Sequence, residues 1–192
     1  VYDVSRRLLF MLCRVLFRLR FDGLEHVPRD GAVVLCCNHR SLWDPVLLGI
    51  PLTRQVHFMA KAELLRVPVL RALLRSYGII PVSRGQLGLD TIKTALRLLR
   101  DGRVVALFPE GTRSRTGALG EGKKGAASMA MRSGAVVVPV AICGTYKWGA
   151  SMRVTYGAPF EWQPEQTMSP GDALQKWTDA LMERIGQMIV DD

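Results

Sequence analysis

Histidine and cysteine are scarce in this chain of 192 residues, which holds three of the first and four of the second. Cys13, Cys36, Cys37 and Cys143 have no C-x-x-C spacing, so neither a zinc site nor any other metal centre is expected. Their apolar neighbours, among them Val34, Leu35 and Ile142, suit small buried thiols in a reducing compartment, and Cys36 and Cys37 would face opposite sides of a strand. Aromatic residues make up only 7% and are dispersed. No stacking platform or nucleic-acid motif is present, and no nucleic-acid partner is expected. Arginines interrupt every apolar run before the ~18 to 20 residues a spanning helix needs, so no transmembrane segment is read, and no secretory signal pattern is read either. Repeats, low-complexity tracts and interdomain linkers are also missing, which points to a single domain.

Acidic residues are in deficit, 17 against 26 basic, for a net charge of +9. The deficit is uneven: residues 161–192 carry net −5, leaving +14 on the first 160. By charge alone a basic body of that size suits nucleic acid, an anionic membrane surface or a phosphorylated substrate, and the missing nucleic-acid motif leaves the last two. The hydrophobic share, 48%, excludes a largely disordered chain.

From Val4 to Leu19 apolar residues recur at helical spacing, with Leu8, Leu12, Leu16 and Leu19 on one face and Arg7, Arg14 and Arg18 roughly opposite. Such a helix can pack on the domain surface or lie in a membrane interface. Phe10 and Phe17, among the arginines, favour the interfacial reading and set residues 1–19 apart from a domain over 20–192.

Beyond it, short apolar runs alternate with longer helical ones, the pattern of an α/β domain. Strands are expected at Arg20–Glu25, Ala32–Cys37, Val56–Ala60, Gly78–Val82, Val104–Phe108, Val136–Ile142 and Arg153–Tyr156. Helices are expected after Asp44 and over Leu89–Arg100, Lys123–Arg132 and Asp172–Val190, the last with a core stripe of Leu174, Trp177, Leu181, Ile185 and Met188.

Four segments carry candidate chemistry. In Asn38–Pro45, His39 and Asp44 are five residues apart, about 140° around a regular helix, so they meet only if His39 lies in the turn before one. Pro45 at a first helical position would make Asp44 the N-cap and supply that turn. A carboxylate on one imidazole nitrogen fixes the tautomer, and the other nitrogen takes a proton from a hydroxyl. The plainer alternative is a helix cap beside a loop histidine. Ser41 lacks a Gly-x-Ser-x-Gly elbow and reads as a turn residue. Phe108–Ser114 lies between a strand end and a helix start, where backbone N–H groups and Arg113 suit an anion. Equally, Glu110 and Arg113 there could simply pair with each other. Gly78–Gly85 ends a strand in Arg84, by itself a turn with a solvated arginine. Val138–Ile142 is apolar, and Pro139 places that strand at an edge or a bulge, lining a cavity.

In this order the four segments resemble the motifs of the glycerolipid acyltransferases, above all the short bacterial members acting on 1-acylglycerol 3-phosphate. The resemblance spans residues 20 to 145, with Lys61-Ala62-Glu63-Leu64 and Lys123-Lys124-Gly125 at the places the family expects. It departs at Pro81, Val82 and Ser83, where many relatives carry Phe or Ile and then Asp or Asn before the arginine. The resemblance implies a mixed central sheet flanked by helices. It also implies transfer of an acyl chain from acyl-CoA or acyl-carrier protein, as substrate rather than cofactor, to the hydroxyl of lysophosphatidate, forming phosphatidate. An acyltransferase or transacylase acting on glycerol 3-phosphate or another lysophospholipid, and more remotely a non-catalytic peripheral membrane binder, are the alternatives. By resemblance His39 is the general base and Asp44 its orienter. Arg84, Glu110, Gly111, Thr112 and Arg113 form the phosphate and acceptor site, and Val138 and Pro139 belong to the acyl pocket. Membrane lipids and an anionic bilayer surface would be its partners, at the cytoplasmic face of the cell membrane, as a peripheral or monotopic protein.

Overall fold

A computed structural model describes residues 2–66, 71, 74–82, 88–163 and 168–189. Helix α1 (Tyr2–Leu16) leads into β1 (Arg18–Asp22), β2 (Val33–Cys37), the short α2 (Asp44–Gly49) and β3 (Val56–Lys61). Then come β4 (Ile80–Val82), α3 (Leu89–Arg100), β5 (Val104–Leu107), α4 (Lys124–Ser133), β6 (Val136–Gly144), β7 (Ser151–Tyr156) and α5 (Pro170–Met188). The strands form one sheet in the order β1-β7-β6-β2-β5-β3-β4. Every neighbouring pair is parallel except β6 with β7, so the sheet is mixed and β1 runs opposite to β2.

Strand β2 is buried on both faces, and its alternation divides the core. Val33, Leu35 and Cys37 face α1 and α2, packing with Cys13, Phe17, Leu47 and Leu48. Val34 and Cys36 face α3, α4 and α5, against Ala95, Leu99, Ala127, Trp177 and Leu181. All four cysteines are buried and free, and Cys36 and Cys37 do point to opposite faces. Burial pushes the Cys36 thiol up to about 12.

Several expectations shift. Strand β1 starts at Arg18, so α1 ends at Leu16 and Leu19 lies on a strand rather than on the helix. Gly78 sits in a turn at φ 61 and β4 begins only at Ile80. Helix α5 opens two residues early, because Ser169 accepts from the Asp172 N–H as its cap and Pro170 occupies the first turn.

The expectation that Pro139 marks an edge or bulge is overturned, for β6 lies inside the sheet between β7 and β2. Gly157 N–H donates to Pro139 O at 2.8 Å, which turns that residue's carbonyl and imide nitrogen toward the β7 chain. Gly157 is next in register beyond the Val140–Tyr156 pair, so the missing N–H removes one bond at the very end of the β6–β7 ladder and none within it. The proline on an edge strand is Pro81 of β4.

Helix α1 is apolar on two sides. Cys13, with Phe17 just beyond, enters the core, and Leu9 and Leu16 pack beside them. Arg6 Nη1 donates to Ile50 O at 2.9 Å, further tying the helix down. Opposite this docked side, Val4, Leu8, Met11, Leu12 and Val15 form an exposed stripe. Among the described residues no helix is long and apolar enough to cross a membrane.

Candidate active site

The chain leaves buried β2 at Asn38, and its side chain is spent at once on the neighbouring strand. Asn38 Nδ2 donates to Ile142 O at 3.0 Å, and Ile142 N–H donates to Asn38 Oδ1 at 2.8 Å. This pair fixes the end of β2 against β6 and sets where the next residue, His39, emerges.

His39 is held from four sides. Its Nδ1 lies 2.8 Å from Asp44 Oδ2, its N–H donates to Glu110 Oε1 at 2.7 Å, and its carbonyl accepts from Ser114 N–H at 2.8 Å. The Phe108 ring stacks on the imidazole with centroids 3.9 Å apart and planes within 16°. The two candidate loops, 70 residues apart in sequence, thus form one wall around His39. Its side chain is 17% exposed while that of Asp44 is fully buried. With Nδ1–H donating to the carboxylate, Nε2 is the nitrogen left to take a proton.

Asp44 is not an N-cap. It opens α2, with Trp43 as the flanking residue and Pro45 inside the first turn. Its carboxylate folds back over the preceding turn, where Oδ2 accepts from Arg40 N–H at 2.6 Å and Ser41 N–H at 2.7 Å as well as from His39. Oδ1 accepts from the Tyr146 hydroxyl, which arrives from just beyond β6. Burial, and then the adjacent Asp44 carboxylate, push the Tyr146 phenol far above its ordinary range, so it stays a donor.

Glu110 is buried and does not pair with Arg113. Its Oε2 accepts from Gly120 N–H at 2.9 Å while Oε1 takes the His39 N–H. A Cβ at Gly120 would lie 2.9 Å from Oε2, so only glycine lets the backbone come this close. Gly111, at φ 68, turns the chain outward and exposes Thr112 and Arg113. The Lys123 side chain lies over Gly111, with Nζ 3.1 Å from where a Cβ would be. Arg40 approaches Gly117 from the other side, and its buried Nε has no hydrogen-bond partner. Arg40 and Lys123 therefore border this loop with positive charge, Arg113 is exposed on it, and Glu110 is a clamp beneath it.

Among the described residues, neither Ser41 Oγ nor Cys37 Sγ is hydrogen-bonded to a base that would activate it as a nucleophile. Ser41 Oγ accepts from Trp43 N–H at 3.2 Å, the turn role read from the sequence. The Cys37 thiol is pushed well above its ordinary range by burial and then by the charges of Asp44 and Glu110. Arg84 lies outside the described residues. Val138 and Pro139 are both buried in the sheet interior, Val138 among Cys37, Val140 and Leu47. Two surface cavities, of about 620 and 400 Å³, lie elsewhere. Sequence reasoning missed Tyr146, the roles of Asn38 and Phe108, and Arg40.

A buried carboxylate fixing one nitrogen of a largely buried histidine that still reaches the surface, with a cationic rim and no activated protein nucleophile, is equipment for activating a substrate hydroxyl. Residues 18–143 match the family model described as Acyltransferase, and the chain belongs to that family. The 1-acyl-sn-glycerol-3-phosphate acyltransferase of Bacillus subtilis is 32% identical over 171 residues, 85% of this chain and 84% of that protein. The chloroplastic LPAT1 of Arabidopsis thaliana, described by the same activity, is 34% identical over 134 residues, 68% of this chain. This chain spans only 37% of that plant protein's length. The crystal structure of the LPA acyltransferase PlsC from Thermotoga maritima superposes with a TM-score of 0.70, covering 98% of this chain and 83% of that one at 21% identity. The mixed sheet and flanking helices are thus the fold of that protein.

Proposed function

We propose that this protein acylates the free hydroxyl of 1-acylglycerol 3-phosphate, taking the acyl chain from acyl-CoA or acyl-carrier protein and forming phosphatidate. The observation that carries the reading is the 2.8 Å contact between His39 Nδ1 and buried Asp44. His39 Nε2 takes the hydroxyl proton as that oxygen attacks the thioester carbonyl. The tetrahedral intermediate then collapses, the carbon–sulfur bond breaks, and the imidazolium returns the proton to the departing sulfur. Asp44 stabilises the imidazolium and holds the ring, and Tyr146 holds Asp44. No cofactor enters, because the step needs only proton transfer and an activated ester.

Arg113 at the rim, joined by Lys123, receives the acceptor phosphate, while Glu110 acts beneath by holding His39 and Gly120 in place. Arg84 is carried here by family resemblance alone. By family resemblance Val138 and Pro139 belong to the acyl pocket; Val138 faces the side of the sheet that carries Phe108 and Trp43, while Pro139 alternates to the opposite face beside Met188. The exposed stripe of α1 beside Arg7 and Arg14 supports a peripheral or monotopic seat on the cytoplasmic face of the cell membrane.

Purified protein given an acyl thioester and a panel of acceptors tests the reading. Phosphatidate from lysophosphatidate, at higher kcat/KM than for glycerol 3-phosphate or uncharged lysolipids, is the expected result. Preference for another acceptor would overturn the acceptor assignment while keeping the acyl transfer, and no transfer to any acceptor would overturn both.

A further inference from the structure

Four arginines from three elements converge at the far edge of the sheet. Arg14 in the last turn of α1, Arg18 and Arg20 on β1, and Arg153 on β7 line the larger cavity, about 620 Å³. Arg20 and Arg153 are register partners on adjacent strands, an arrangement that like charges disfavour. Among the described residues Asp22 alone relieves it, with Oδ1 3.0 Å from Arg20 Nε and Oδ2 3.7 Å from Arg153 Nε. Arg14 and Arg18 have no carboxylate partner among the described residues. Charged residues that blunt an edge strand explain Arg18 and Arg20. They do not explain Arg153 directly opposite, or Arg14 one element away.

Position adds a second argument. Because β1 runs opposite to β2, Arg18 lies at the end of the sheet from which His39 emerges, three strands across, or ~14 Å. Phe17 lines the same cavity and meets Trp43 and Tyr146, edge to face, with centroids 6.0 and 6.4 Å away. The exposed apolar stripe of α1 ends at Val15, the residue after Arg14, which lines the cavity.

We propose that this basin is a second anion site, separate from the acceptor's, that seats the phosphate of an anionic bilayer lipid. The inference rests on the interfacial reading of α1 above. With the stripe among acyl chains, the guanidiniums lie at headgroup level. A lipid phosphate there neutralises what Asp22 leaves over, and it fixes the height of His39 above the bilayer.

The test is co-sedimentation of the full chain with vesicles of phosphatidylcholine alone or doped with phosphatidate. Arg14→Gln/Arg18→Gln removes the two cations that lack a carboxylate partner, Arg14 resting only 6.0 Å over the Phe10 ring, and leaves the Asp22 bridge. Arg97→Gln/Arg100→Gln removes the same charge from exposed positions on α3, across the sheet. The first pair should lower partition to phosphatidate vesicles roughly ten- to thirtyfold, and the control no more than about twofold. Ser151→Asp, which puts a carboxylate into the basin without removing any arginine, should reproduce the loss. Equal losses for the basin and control pairs, or full binding by Ser151→Asp, would overturn the site. Inorganic phosphate without vesicles should leave the arginine Nε–H resonances of the four residues unmoved. Saturable shifts there would assign the basin to a free anion and overturn the lipid assignment. Leu8→Ser/Met11→Ser reports on α1 separately: retained binding overturns the interfacial reading, while the comparison of the two arginine pairs still decides the basin.

Discussion

The Tyr146 hydroxyl donates to Asp44 Oδ1, on the far side of the carboxylate from His39. The partners are 102 residues apart, and the bond joins the end of β6 to the start of α2. Tyr146 touches no reacting atom in the proposed mechanism and is a positioning residue. Tyr146→Phe keeps the ring against Phe17 but leaves Oδ1 without this donor. A hydrogen bond to a charged group is worth about 1.5 to 3 kcal/mol, so kcat should fall at least about tenfold with both KM values unchanged. Unchanged kcat would make the bond purely structural.

Glu110 provides a sharper distinction between holding the site and touching the substrate. Both its oxygens accept backbone N–H groups, so Glu110→Gln must turn an amide NH2 against one of these donors. Thermal denaturation should show a lower Tm, by about 2 to 4 °C per kcal/mol lost, and kcat should fall while the acceptor KM stays put. A rise confined to the acceptor KM would place Glu110 on the substrate.

Arg113, exposed and unpaired with Glu110, should behave in the opposite way. Arg113→Ala is expected to raise the acceptor KM about tenfold or more with little change in donor KM or Tm, because uniform binding to a phosphate is lost. Equal rises for donor and acceptor would move Arg113 to the donor's phosphates.

Cys36 makes stability depend on pH on the alkaline side. Its thiol is raised from 9.0 to about 12 in the folded state by burial. The stability this contributes is complete below pH 9 and is lost as pH rises toward 12, because only the unfolded chain ionises in that window. Urea melts at rising pH should show a decline that is shallower in Cys36→Ala. Identical slopes would contradict the burial argument.

The motif residues were legible because each motif is contiguous, and a strand end followed by polar residues and Pro45 marks a loop wherever the chain goes next. The alternation of β2 and the stripe of α5 were legible for the same local reason. What escaped depends on distant chain. Whether Pro139 breaks a ladder depends on where β7 ends, which is set by the Val140 to Tyr156 register. Tyr146 is an isolated aromatic until β6 delivers it to Asp44. The residue that flanks α2 was misplaced by one, Asp44 for Trp43, because Pro45 fits the first and the second helical position alike. Helix α1 has apolar residues nearly all round, so periodicity alone chose Leu16 and Leu19 for a face that the fold gives to Val4, Leu8, Met11, Leu12 and Val15.

His39 is the residue on which the proposed chemistry turns. The most direct measurement is the rate of phosphatidate formation from an acyl thioester and lysophosphatidate by His39→Ala, compared with the parent protein at saturating substrates. A lost general base should lower kcat by about 10²-fold or more with the circular dichroism spectrum and Tm kept near the parent values. A correctly folded His39→Ala protein that turns over within a few fold of the parent would contradict the account.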